Sequence, residues 1–312
     1  MQTRKSRFSR ALAGLLIALP AAALICVVAI RCYPALAVLL APGVKYRTPY
    51  CSKWDAARDV RIKLHQEADA AAIAAASRVL RRERGLALWA TPEGEYWIPE
   101  SDGAVLPTLL AQARRDIYGS GAWGVQPGDT VLDCGAYVGT TARQALARGA
   151  RLIVAIEPTP ESVECLRRNL AGEIAAGKVI VYPKGVWDSE TELTFSVNPA
   201  NLAGNSFLGS PSGPKQLSIP VTTIDRVAAE LRLRRVDFIK ADIKGATERM
   251  LRGGRTVIAR DRPRLALSTE EANDNAAGIA ALTKSIQPAY EMKCGPCLLD
   301  GRDVYTDVLF FR

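Results

Sequence analysis

The sequence predicts an α/β fold in which a mostly parallel sheet is covered by helices on both faces. Three observations predict it. From Gln126 onward short apolar strands alternate with helical stretches, the first strand runs into a glycine-bearing turn, and the second ends in an acidic residue. Repeated strand–helix units imply parallel neighbours joined by helical crossovers. In such sheets ligands sit beyond the carboxyl ends of the strands, at the topological switch point.

The chain opens with Arg4, Lys5, Arg7 and Arg10, followed by an uncharged apolar run from Ala11 to Ile30. About twenty such residues span a bilayer core, so a single N-terminal membrane helix is expected, with residues 1–45 as basic leader and anchor. The apolar character resumes at Ala35–Leu40, which argues for a retained anchor over a cleaved signal peptide. Residues 46–120 read as a helical extension and a β-hairpin. Ala56 to Arg84 carries no proline and is rich in Ala, Arg and Leu, giving one or two helices. Leu86–Ala90 and Tyr96–Ile98 are β-like runs separated by the turn Thr91-Pro92-Glu93-Gly94. A helix from Leu106 to Tyr118 is closed by Gly119-Ser120-Gly121.

The domain of residues 121–312 supplies the sheet. Strands are expected at Thr130–Asp133, Arg151–Ile156, Lys178–Tyr182, Val236–Ala241 and Arg264–Leu267. Helices are expected at Thr140–Arg148, Glu161–Leu170, Thr247–Arg252 and Ala276–Gln287. A Gly/Pro/Ser-rich loop runs from Asn198 to Pro214, and Tyr290–Lys293 and Val304–Phe311 close the chain as β-structure.

Composition sets outer bounds. Of 312 residues, 48% are hydrophobic and 23% charged, which excludes a disordered or fibrous chain. The formal charge of +9 is concentrated early, where an anionic lipid surface would attract it. No aromatic–basic pattern of an RNA-binding module accompanies it, so nucleic acid is not an expected partner. Seven scattered cysteines do not describe a disulfide framework. Cys294-Gly295-Pro296-Cys297 has redox spacing, but it falls between two late β-segments and reads as a turn with incidental thiols.

The informative motif is Asp133-Cys134-Gly135-Ala136-Tyr137-Val138-Gly139, at a strand end and before a helix. Glycine there permits a tight turn and close approach of a ligand. Glu157 ends the next strand, and a carboxylate so placed can accept both ribose hydroxyls of a nucleoside. The spacing departs from the G-x-G-x-x-G of dinucleotide sites. A leading Asp133 suits an amine or sulfonium better than a phosphate, favouring S-adenosylmethionine over a nicotinamide cofactor.

Taken together, Asp133–Gly139, Ala155-Ile156-Glu157-Pro158, Asn205-Ser206, Ile219–Asp225 and Asp237–Ala246 resemble, in order, the FkbM-type methyltransferases of the class I, Rossmann-like fold. The resemblance implies a seven-stranded sheet and S-adenosylmethionine as donor. It also implies O-methylation of a carbohydrate or other small molecule. Asp133, Gly135 and Glu157 would hold the cofactor, with Ala136, Gly139 and Pro158 completing the two cofactor motifs. Asp242 would face the methyl-transfer site. The family usually reads D-V-E-G-x-E where this chain has Asp242-Ile243-Lys244-Gly245-Ala246-Thr247. Because the donor is a cytoplasmic metabolite, the catalytic domain is expected on the cytoplasmic side, although the basic leader favours the opposite orientation.

Methyl transfer to a hydroxyl requires removal of its proton. The only histidine, His65, precedes the domain, so Asp242 and Glu270 are the candidate bases and Lys244 a candidate clamp for an anionic acceptor. Glu271, Asn273, Asp274 and Asn275 offer oxygen donors, but no metal is expected. Two other readings stand beside the enzyme: a module that keeps the nucleoside pocket without turnover, and a nicotinamide-dependent oxidoreductase.

Overall fold

A computed structural model describes residues 33–197, 215–269 and 275–312. The anchor read at 11–30, the pair Asn205-Ser206 and the candidate base Glu270 lie outside the described residues. Among the described residues no helix is long and apolar enough to cross a membrane.

The N-terminal part contains α1 (Pro34–Leu40), β1 (Lys45–Tyr46) and the long helix α2 (Lys53–Ala76). A capping box opens α2: Ser52 Oγ accepts from the Asp55 N–H, and the Asp55 carboxylate accepts from the Ser52 N–H. The helix stops at Ala76, not Arg84 as the composition suggests. Ser77 Oγ donates back to the Ile73 carbonyl at 2.6 Å, and the alanine-rich stretch ends there. Arg78–Glu83 instead forms strand β2, paired antiparallel with β3 (Leu86–Thr91). Ladder bonds to a partner strand override a helix-compatible composition. The hairpin of β3 and β4 (Gly94–Pro99) forms across the expected turn, with Thr91 opposite Gly94. Helix α3 (Leu106–Arg114) ends four residues short of Tyr118. Asp116 takes φ 56° and Gly119 φ 99°, turning the chain back on itself.

The domain core alternates as expected: β5 (Thr130–Cys134), α4 (Thr140–Ala147), β6 (Leu152–Ile156), α5 (Pro160–Asn169), α6 (Ala171–Ala175) and β7 (Val179–Tyr182). Then come β8 (Gly185–Val186), β9 (Thr191–Val197) and β10 (Lys215–Thr222), which form a small side sheet that the sequence reading did not separate. Helix α7 (Ile224–Glu230) leads to β11 (Phe238–Ala241), α8 (Thr247–Gly253), α9 (Arg255–Asp261), β12 (Arg264–Ser268) and α10 (Ala276–Ile286). Strands β13 (Met292–Cys294), β14 (Cys297–Asp300), β15 (Asp303–Thr306) and β16 (Val308–Phe311) close the chain.

Seven strands form the main sheet in the order β13-β16-β12-β11-β5-β6-β7. The five from β12 to β7 are parallel, and β16 inserts antiparallel between β12 and β13. Alternation along each strand divides the core between two faces. Leu132, Cys134, Ile239, Ala241, Leu265 and Leu267 pack against α7 to α10. Val131, Ile153, Ala155, Phe238 and Ala266 pack against α4 and α5. Because the chain leaves β5 toward β6 on one side and returns to β11 on the other, the switch point lies at the carboxyl end of β5.

The N-terminal part is fixed to this core at several points, among them a buried asparagine and a disulfide. Asn169 accepts from the Trp97 N–H and donates to the carbonyls of Trp97 and Val138, joining the hairpin to the glycine loop. Cys51 and Cys297 form a disulfide, tying the entry to α2 to the start of β14. This corrects the reading of Cys297 as an incidental thiol. Its partner lies 246 residues away, a pairing that spacing cannot reveal, and Cys294 stays free.

Candidate functional site

At the switch point, β5 turns through Gly135 and β11 gives way to Asp242. The two loops touch backbone to backbone. Gly135 has φ +77°, and a Cβ there would lie 2.1 Å from the Asp242 carbonyl oxygen. Gly139 has φ +90°, and its Cβ would meet Leu166 Cδ1 at 2.8 Å, on α5. Both glycines are therefore required by the packing of the loop against its neighbours, before any ligand is considered. Ala136 is buried, its N–H bonded to the Ile156 carbonyl at 3.0 Å.

Asp133 departs from its expected role. It is fully buried, and its ladder neighbour on β11 is Lys240. Adjacent residues of a parallel pair share a face, and here small Ala155 and Ala266 flank the two long polar side chains. Lys240 Nζ lies 3.0 Å from Asp133 Oδ1, in a direction that makes an ion pair without an aligned hydrogen bond. The same ammonium donates to the Gly135 carbonyl at 2.7 Å. Burial disfavours the charge, but Asp133 and Asp242 outweigh it and hold the lysine pKa above its ordinary value. Asp133 is thus neutralised internally and does not offer a free carboxylate to a cationic ligand. The sequence reading missed Lys240, although a lysine in the apolar strand Phe238-Ile239-Lys240-Ala241 is rarely buried without a partner.

Glu157 sits where expected, at the end of β6. Its carboxylate accepts from the Tyr137 N–H at 3.0 Å and the Thr159 N–H at 2.9 Å. Burial pushes its pKa up, and these two bonds oppose the shift. Each oxygen keeps a second lone pair, the capacity a ribose diol needs. Pro158 follows at the half-buried edge of the same loop.

Asp242 is the centre of a polar cluster. The Tyr118 hydroxyl donates to its Oδ2 at 3.0 Å, and Lys244 Nζ lies 3.8 Å from its Oδ1. Burial alone would raise its pKa, but Lys244 and Lys240, together with the Tyr118 hydroxyl, bring it below the ordinary carboxylate value. Lys244 is therefore not a freely solvated charge. It takes φ 47°, a left-handed turn that brings its side chain back over the preceding carboxylate. The Tyr118 ring also covers Lys240, 5.2 Å from its Nζ. In the sequence Tyr118 marks only an expected helix end; no motif distinguishes it, because its partner is 124 residues away.

Gly135, Ala136, Tyr137, Lys240, Asp242 and Tyr118 enclose a hollow of about 40 Å³. Ligand pockets for drug-sized molecules are typically about 300–1,000 Å³. The residues at the switch point thus supply donors and acceptors suited to a nucleoside, but the space between them, closed by α3 and Tyr118, does not fit one as it stands. Asp133 and Glu157 do not converge on this hollow; of the expected cofactor residues only Gly135 and Ala136 line it.

Residues 133–286 match the model of the Methyltransferase FkbM domain. The chain carries an FkbM-type methyltransferase domain. The match begins at the first residue of the glycine motif and ends with α10, so it takes in both loops of the switch point. Among solved structures, methyltransferase FkbM from Methylobacillus flagellatus KT shares the fold at 17% identity, with a TM-score of 0.50 over 88% of this chain. The chain spans 64% of that protein's length. Trm5b from Pyrococcus abyssi is a more distant likeness, at 14% identity and TM-score 0.38, over 76% of this chain and 56% of the other. No curated protein matches the sequence at a significant level. The FkbM domain and the seven-stranded, mostly parallel sheet are as the motifs implied.

Proposed function

We propose that this protein is an S-adenosylmethionine-dependent methyltransferase acting on a hydroxyl of a small molecule, with a carbohydrate as one candidate acceptor. The observation that carries the reading is Asp242 facing the Gly135 turn at the switch point of an FkbM-type domain. Glu157 and the Gly135 turn are the groups that would hold the adenosyl donor, which supplies an electrophilic methyl group when bound. The chain's own contribution is to position and to move a proton. Asp242, ionised at neutral pH and oriented by Tyr118 and Lys244, accepts the hydrogen bond of the acceptor hydroxyl and takes its proton as the oxygen becomes nucleophilic. Entry of the donor requires Tyr118 and α3 to withdraw from the hollow. The tether at residues 11–30 belongs to this proposal and rests on the sequence alone.

The small hollow and the depressed pKa of Asp242 also favour a second reading, a domain that keeps the fold without turnover. Incubation of the full chain with donor carrying a tritiated methyl group, across a panel of glycans and other hydroxyl acceptors, separates the two. Label transfer that disappears in Asp242→Asn supports the enzyme. Donor binding without transfer to any acceptor supports the inactive domain.

A further inference from the structure

A second hollow, larger than that at the switch point, lies away from it. A cleft of about 390 Å³ opens between α2, the segment from Arg115 to Trp123, and the chain around β13 and β14. Its volume falls in the range of small-molecule sites, about 300–1,000 Å³. The turn 115–120 separates it from the smaller hollow, since Tyr118 lines one and Ile117 the other.

One wall is apolar: Ile62, Ile117, Trp123, Leu298 and Phe310 line it. Ile62 is 41% exposed on α2, an aliphatic side chain left uncovered among the described residues. The rim is cationic, with Arg58, Lys63, Arg115 and Lys293. Three carboxylates also line the cleft: Asp307 is buried, and Asp59 and Asp116 are held by neighbours. Asp59 accepts from Arg58 and from the Cys297 N–H, and Asp116 is paired with Arg148 and Gln144. Arg58 and Arg115 are held by Asp59 and Asp69. Lys63 is only loosely paired, 3.6 Å from Asp300, and Lys293 has no ion pair among the described residues. Lys293 lies 6.0 Å from the centre of the Trp123 ring, beside the aromatic part of the wall.

We propose that this cleft is a binding site for an amphiphilic anion, a small molecule with an aromatic or short aliphatic body and one acidic group. The body lies against Ile62, Ile117 and Trp123, and the acidic group meets Lys293. The site is independent of the methyl-transfer reading, because it uses none of the switch-point residues.

Calorimetric titration of the full chain with 1-naphthyl phosphate tests it, with 1-naphthol and inorganic phosphate as partial probes. The intact probe should bind at one site, and each partial probe at least about tenfold more weakly. Lys293→Glu and Ile62→Asp, both at exposed positions, should each weaken the intact probe by about tenfold or more, the worth of one charged contact or one covered aliphatic side chain. Unchanged thermal melting of the two variants verifies that they fold. Binding no tighter than that of inorganic phosphate overturns the proposal, as does binding that either substitution leaves unchanged.

Discussion

Lys240 and Asp133 stand side by side on adjacent parallel strands, ammonium and carboxylate 3.0 Å apart and closed to solvent. The pair joins the glycine turn to the loop that carries Asp242, because the same ammonium holds the Gly135 carbonyl. Removing one member of a buried pair leaves the other charge uncompensated, at a cost of about 3–5 kcal/mol. Lys240→Met should therefore lower the unfolding free energy by that amount in chemical denaturation. Adding Asp133→Asn to it should recover part of the loss, since no buried charge is then left unpaired. Loss of stability that is equal in the single and double variants would mean that the packing of the lysine stem, and not its charge, matters.

Asp242→Asn should reduce methyl transfer by about 10²–10⁴-fold, the usual worth of a positioned base, while leaving donor affinity nearly unchanged. The pH dependence follows from the sign of the shift. The folded pKa of Asp242 is depressed, so its carboxylate form contributes stability that is present above the unfolded value of about 3.9 and lost as pH falls through the lower folded value. Activity that depends on this carboxylate should keep its acid limb below about pH 4. A pH–rate profile falling near neutrality would assign the base to another group.

Gly135→Ala should be among the most damaging small substitutions in the domain. The added carbon meets the Asp242 carbonyl at 2.1 Å, and the backbone is at φ +77°. Strain and overpacking together cost about 2–6 kcal/mol. Gly128→Ala supplies the control: it shares the positive φ, at +87°, but has nothing within 4 Å of the added carbon. Thermal denaturation should show a much smaller loss there, about 1 kcal/mol.

The Cys51–Cys297 disulfide closes a loop spanning 246 positions. Reduction, or Cys51→Ser with Cys297→Ser, should cost about 2–5 kcal/mol of stability. Bonds of this kind persist in oxidising compartments. Peptide mapping of protein prepared in alkylating, non-reducing conditions should recover Cys51 joined to Cys297 and Cys294 alkylated.

The sheet was legible because its strands are short apolar runs separated by turn residues, and parallel strands buried on both faces read that way in any sequence. The glycine motif and Glu157 were legible for the same local reason. What escaped was set by partners distant in the chain. Arg78–Glu83 looks helical until β3 lies beside it, and Cys51 looks unpaired until β14 brings Cys297 to it. Asp133 looked like a ligand group because the ladder that places Lys240 against it cannot be read from either segment alone. Tyr118 carries no motif at all and reaches Asp242 only through the turn that ends α3 early.

In the proposed function, the switch point of this domain binds an adenosyl methyl donor through Glu157. Calorimetric titration of the full chain with S-adenosylmethionine tests it most directly, with Glu157→Ala alongside. One donor per chain should bind saturably, at least about tenfold more weakly in the variant, as expected for loss of charge-assisted hydrogen bonds to a buried diol. Absence of saturable binding to the wild-type chain, or equal affinity in Glu157→Ala, would contradict it.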